Sequence, residues 1–194
     1  MFLNSDASEV IQQNILFTDS DFLGLIYHDK ELLKETLALL VDKKLNLYPF
    51  TEFEFLRDVF TPEIRILREQ FLASSYFAHI KEETHLRVFP ELQTNALLLS
   101  KIYAQQSAGN KSRNSKCISF VDLFLASILM FLKDKAVLIT GNKKDFPSCV
   151  FDIVAVLNFE AEDGCVRAIS IVKFNQTKFD SCYECLQKLE KKNE

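Results

Sequence analysis

Two hydrophobic periodicities alternate along this chain. Asn14 to Thr18 (N-I-L-F-T) is a short apolar run that stops at Asp19, as a strand does when it ends at a polar edge. From Asp29 to Lys43 the residues Leu32, Leu33, Leu37, Leu40 and Val41 recur near one face, the helical period. A second short strand is predicted over Leu45 to Pro49, then a helix opening at Thr51 and running to about Phe60. Pro62 suits the first position of a helix over Glu63 to Leu72, because its missing N–H is one the helix would leave unpaired anyway. Glu91 to Gln106 carries Leu92, Ala96, Leu99 and Tyr103 at helical spacing.

Ser107 to Lys116 (S-A-G-N-K-S-R-N-S-K) is small, polar and basic, and reads as a loop. Ser119 to Leu132 then reads as a buried helix. Ala136 to Thr140 (A-V-L-I-T) reads as a strand covered on both faces, as in a parallel sheet. Asp152 to Phe159 and Cys165 to Phe174 pair as a hairpin across Glu160 to Gly164, where Asp163-Gly164 is a turn signal. A charged helix from about Lys178 to Lys191 follows. The alternation predicts an α/β fold, a three-layer α/β/α sandwich with a mainly parallel central sheet. Its strands should include Ile15 to Thr18, Leu45 to Tyr48, Val137 to Thr140 and Ile153 to Leu157. A core over about 14–159 and an extension over 160–194 make one domain.

Composition narrows the function. A chain of 194 residues with 48% apolar content has the material for one well-filled core and is no disordered tail. Four glycines leave little room for a glycine-rich phosphate loop. With 23 basic and 27 acidic side chains, an extended grip on duplex DNA is disfavoured, because it needs a cationic excess. The odd count of five cysteines is no disulfide framework, and Cys182 and Cys185 form a lone C-x-x-C without a second pair. Reduced thiols, a first segment Met1 to Gln13 without a basic start, and an apolar run (Phe120 to Leu132) broken by Asp122 lead us to expect a soluble, cytoplasmic protein with no membrane attachment.

The candidate chemistry lies at the strand ends, where open α/β sheets bind ligands. One carries Thr18-Asp19-Ser20-Asp21, another Thr140-Gly141-Asn142-Lys143-Lys144-Asp145. Glu54 follows the second strand, and Asp122 stands near the start of the apolar helix. Carboxylates gathered on one rim would repel one another unless a divalent cation bridged them, and an oxygen-only set favours Mg²⁺ or Mn²⁺. Each residue also has a purely structural use. Asp19 suits a helix cap, and Asp21 a local turn bond. Thr51-Glu52-Phe53-Glu54 fits a capping box, and Asn142 with Asp145 fits a short capped helix. Ser119 and Asp122 could form a polar stripe facing solvent. An unpaired carboxylate among Phe120, Val121, Leu123 and Phe124 would otherwise be costly. His28, His79 and His85 have no metal-ligand spacing. Lys111, Arg113 and Lys116, with Lys143 and Lys144, could contact phosphates or be ordinary solvated surface.

Taken in order, four segments resemble the PIN-domain family of metal-dependent ribonucleases, which includes the VapC-like toxins. They are L-F-T-D-S-D-F-L-G-L-I (Leu16 to Ile26), T-E-F-E-F-L-R (Thr51 to Arg57), S-F-V-D-L-F-L-A-S (Ser119 to Ser127) and V-L-I-T-G-N-K-K-D-F (Val137 to Phe146). The resemblance covers about Asn14 to Phe159. It implies Asp19, Glu54 and Asp122 as the acidic core, with Asp19 and Asp122 the direct ligands of Mg²⁺ or Mn²⁺ and Glu54 binding the metal or orienting the nucleophile. Asn142 takes the fourth position, which departs from a fully acidic quartet, and Asp145 is its alternative. Thr140 would hydrogen-bond within the cluster. The activity implied is cation-assisted hydrolysis of RNA phosphodiesters. A toxin-like member would have an antitoxin protein as partner and form a homodimer. Two alternatives remain: a haloacid-dehalogenase-like phosphatase, whose Asp-x-Asp is imitated by Asp19-Ser20-Asp21 and whose strand ending in Thr is imitated by V-L-I-T-G, and a non-catalytic PIN-like module that binds RNA or protein.

Overall fold

The computed structural model describes residues 5–57, 59–109, 118–160 and 164–190. Within them the helices are α1 (Ser5–Gln13), α2 (Ser20–His28), α3 (Lys30–Leu40), α4 (Pro49–Arg57), α5 (Pro62–Leu72), α6 (Glu82–Gly109), α7 (Phe120–Leu132) and α8 (Gln176–Glu190). The strands are β1 (Ile15–Thr18), β2 (Leu45–Leu47), β3 (Phe77–His79), β4 (Ala136–Thr140), β5 (Phe151–Glu160) and β6 (Val166–Phe174), in one sheet of order β3-β2-β1-β4-β6-β5.

β3, β2, β1 and β4 run parallel, whereas β6 is antiparallel to both β4 and β5. The sheet is therefore mixed, which corrects the expectation of a mainly parallel one. The reason is the hairpin. β5 and β6 have 10 and 9 residues, against 3 to 5 in the parallel strands. Gly164, at φ +75°, takes up the left-handed backbone ahead of the return strand. The returning strand buries a continuous Ile169 to Val172 and takes the place beside β4. β5, half-covered in alternation, is left at the edge.

Alternate residues of the central strands feed two cores. Leu16, Val137 and Ile139 join side chains of α1 to α5, while Phe17, Ala136 and Leu138 join those of α6, α7 and α8. Helices thus cover both faces of the sheet. Within the described residues no helix is long and apolar enough to cross a membrane.

Three local readings need correction. The helix expected to open at Thr51 begins at Pro49, shortening the preceding strand to Leu45–Leu47. The helix expected from Glu91 starts at Glu82 and runs through Pro90. Pro90 and its neighbour Leu86 are exposed, so water can serve the carbonyl that proline leaves unpaired. Finally, α1 and β3 had no counterpart in the sequence reading. The loop cations Lys111, Arg113 and Lys116 lie outside the described residues.

Candidate active site

β1 and β4 are neighbours in parallel register, with Thr18 opposite Ile139, so Asp19 and Thr140 leave the sheet side by side. β2 departs from one side of β1 and β4 lies on the other, which makes this edge the switch point of the parallel half. Asp19, a candidate site residue, is the N-cap of α2. One carboxyl oxygen accepts from the Phe22 N–H at 2.8 Å, and the other accepts from the Thr140 hydroxyl. Thr140 in turn accepts from the Asn142 N–H at 2.8 Å, tying the turn after β4 to the end of β1. Asp19 is only 2% exposed. Burial, opposed by its two hydrogen bonds and assisted by the charges of Asp21 and Asp122, pushes its carboxyl up to about 7.

Asp122 approaches from the other side of the sheet. Ser119 caps α7: its hydroxyl accepts from the Asp122 N–H at 3.1 Å and donates to the Asp122 carboxylate at 2.6 Å. The solvent-facing polar stripe expected of the pair is not what forms: Ser119 caps the helix, and both residues are half-buried. Burial, then the charges of Asp145, Glu54 and Asp21, push it up to about 6, against the lowering effect of Ser119.

α4 packs against both α2 and α7, and this carries Glu54 to the gap between them. The capping-box reading of Glu54 does not hold, because Thr51 lies inside the helix with its hydroxyl buried and unpartnered among the described residues. Glu54 instead accepts from the Ser20 hydroxyl at 2.6 Å, a contact between residues 34 positions apart. Asn142 makes no side-chain cap on the single turn Lys143–Asp145; its amide donates to Asp145 at 2.6 Å. Asp21 is exposed, and its charge bears on both Asp19 and Asp122. Lys143 and Lys144 are exposed beside Asn142.

Asp19, Glu54, Asp122 and Asp145 are thus close enough to perturb one another in pairs, yet each is held by its own hydroxyl or amide. Among the described residues no group of three or more His, Cys, Asp or Glu side chains is arranged to hold a metal ion. Each of the three expected acidic ligands accepts from one hydroxyl: Glu54 from Ser20, Asp122 from Ser119 and Asp19 from Thr140. The histidines are engaged elsewhere, His85 with the Tyr48 hydroxyl at 2.5 Å and His79 with Glu52 at 3.0 Å.

One residue had no signal in the sequence beyond helical spacing. Tyr103 is 9% exposed on α6, and its hydroxyl is buried without a partner among the described residues. Burial raises its proton affinity, and the charges of Cys149, Asp122 and Asp145 add to the effect. Phenol groups buried in cores usually find a partner, so a Tyr on an otherwise apolar helix face was the clue available. No family model, no curated protein and no solved structure matches this chain.

Proposed function

We propose that this chain is a metal-dependent ribonuclease on a PIN-like, three-layer α/β/α scaffold, acting on RNA phosphodiesters. The observation that carries the reading is the gathering of Asp19 and Asp122 near the edge where β1 and β4 end, two carboxyl groups that burial first, and neighbouring carboxylates after it, lift to about 7 and about 6. Groups with that proton affinity readily exchange a proton for a dication, and the donor set is all oxygen, which suits Mg²⁺ or Mn²⁺. Asp19 and Asp122, with Glu54, would hold the ion. When bound, it would supply activation of water and neutralisation of charge at phosphorus.

The chain's own residues account for the rest. Thr140 holds one oxygen of Asp19 and, through the Asn142 N–H, the turn that carries Asn142 and Asp145. Ser119 orients Asp122, and Ser20 orients Glu54. Lys143 and Lys144 draw the phosphate backbone toward an otherwise acidic rim. The phosphatase alternative requires an open nucleophilic oxygen on Asp19. Both oxygens of that residue accept hydrogen bonds, which a bond to a cation would equally displace; the nuclease reading is favoured because Leu23 stands two residues after Asp21, where the phosphatase pattern has Thr or Val. A cytoplasmic, toxin-like role with an antitoxin or a second copy of the chain as partner belongs to the same proposal.

The test is manganese calorimetry paired with a gel assay on single-stranded RNA, on the wild type, Asp122→Asn and Glu54→Gln. Both variants should bind manganese more weakly, and Asp122→Asn should lose cleavage. Equal binding and equal cleavage by all three proteins would falsify the assignment.

A further inference from the structure

Cys182 and Cys185 are a lone C-x-x-C in the sequence. The fold instead sets Cys182 against Cys149. α8 docks on the start of β5 through residues spaced at the helical period. Asn175, just ahead of the helix, accepts from the Lys178 N–H at 3.0 Å and donates its amide to Asp152 at 2.7 Å. Lys178 reaches Asp152 at 2.5 Å, and Phe179 and Leu186 are buried in the core below. Cys182 follows one turn after Lys178 and donates its thiol to the Cys149 carbonyl at 3.4 Å. Cys149 and Cys182 are half-buried, while Cys165 and Cys185 are exposed.

We propose that Cys149 and Cys182 form a reversible disulfide when the protein meets hydrogen peroxide. The two thiols are also in hydrogen-bond contact with each other, and a disulfide needs the two Cβ atoms within about 3.5–4.5 Å. The helix that presents Cys182 is anchored at Asp152 through Asn175 and Lys178. Burial first, then the neighbouring Cys182 thiol, push Cys149 up to about 11, so peroxide meets little thiolate there. Cys182 is oxidised first: it becomes a sulfenic acid and one water leaves. The Cys149 sulfur then displaces hydroxide from the sulfenic sulfur, the S–S bond forms, and the hydroxide departs as water with the thiol proton. Two thiols and one peroxide give one disulfide and two waters. The bond would tie α8 to the segment that leads from Asp145 to β5, fixing the carboxylate-bearing turn from behind. The proposal stands apart from the nuclease reading, because neither sulfur belongs to the acidic site.

The experiment treats the full chain with hydrogen peroxide, then maps non-reduced peptides by mass spectrometry and records melting with and without dithiothreitol. Expected are loss of two of the five alkylatable thiols, a peptide joining Cys149 to Cys182, and a melting temperature higher by about 5 °C that dithiothreitol reverses. Cys149→Ser and Cys182→Ser should each abolish the shift, and Cys185→Ser should keep it. A bridge between Cys182 and Cys185, a bridge to Cys117, or unchanged alkylation of Cys149 and Cys182 after peroxide would each overturn the pairing.

Discussion

The end of β1 and the start of α7 present the same chemical group in different surroundings. At the first, Asp19 is enclosed, caps α2 and takes a hydroxyl from the neighbouring strand. At the second, Asp122 is half-buried and leans on Ser119 within its own first helical turn. Both carboxyl groups are lifted, and the enclosed one is lifted further even though it has more hydrogen bonds. Desolvation outweighs hydrogen bonding here, so enclosure sets the proton affinity. Asp19 is built into the fold, whereas Asp122 is mounted on a rim where a side-chain rotation can redirect it.

The largest expected effect separates the two by pH. Each carboxyl has a folded-state value above the ordinary 3.8, so the folded protein binds protons that the unfolded chain has released. Their contribution to stability is whole below about pH 4 and is lost as pH rises, ending near 6 for Asp122 and near 7 for Asp19. The Asp19 share is on the order of 4 kcal/mol, from about three units at 1.36 kcal/mol each. Urea midpoints between pH 4 and 8, without divalent cations, should fall with rising pH. Asp19→Asn should flatten the fall throughout, and Asp122→Asn only its lower part. If the two variants flatten the same interval equally, the difference in enclosure has no energetic meaning.

Truncation at pH 5, where Asp19 is mainly protonated, isolates the hydrogen bonds from the charge. Asp19→Ala removes the α2 cap and strands the buried Thr140 hydroxyl, for a cost of about 2–3 kcal/mol. Asp122→Ala leaves Ser119 capping its own helix and should cost about 1 kcal/mol or less. Chemical denaturation of both variants measures the gap. Equal losses would mean that Thr140 finds another acceptor and that Asp19 is no more structural than Asp122.

The same contrast explains what the sequence made legible. Ala136–Thr140 and the helix after Ser119 could be read directly, because a continuous apolar run flanked by polar stops has few other uses. Ser5–Gln13 offered only three apolar positions, and Phe77–His79 is a three-residue edge strand, too short for a period to register. Strand order was hidden too: β5 and β6 are similarly apolar, and only packing decides which one lies beside β4. At the site, local sequence showed which carboxyl groups sit at element ends. It could not show that Ser20 reaches Glu54 or that Thr140 reaches Asp19, since those contacts span 34 and 121 positions. The capping box at Thr51 was misleading because Pro49 starts the helix earlier.

The smallest expected effect concerns Tyr103, a core residue whose phenol feels the charges of Asp122 and Asp145. Its hydroxyl has been taken out of water and has no partner among the described residues, a situation that usually costs 1–3 kcal/mol. Tyr103→Phe deletes that oxygen and keeps the ring packed among Leu99, Phe124 and their neighbours. The variant should therefore be as stable as the wild type or more stable by up to about 1 kcal/mol in urea. A hydroxyl that holds an ordered water between Asp122 and Asp145 gives the opposite sign, because the variant would leave that water short of a donor. The two cases also differ in pH behaviour. A bridging water couples Tyr103 to the rim, so the loss would shift the Asp122 part of the pH profile and leave the Asp19 part alone. A stabilised variant with an unchanged profile identifies the phenol as an unspent donor in the core; a destabilised variant with a shifted profile would make the Asp122 end of the site as fixed as the other.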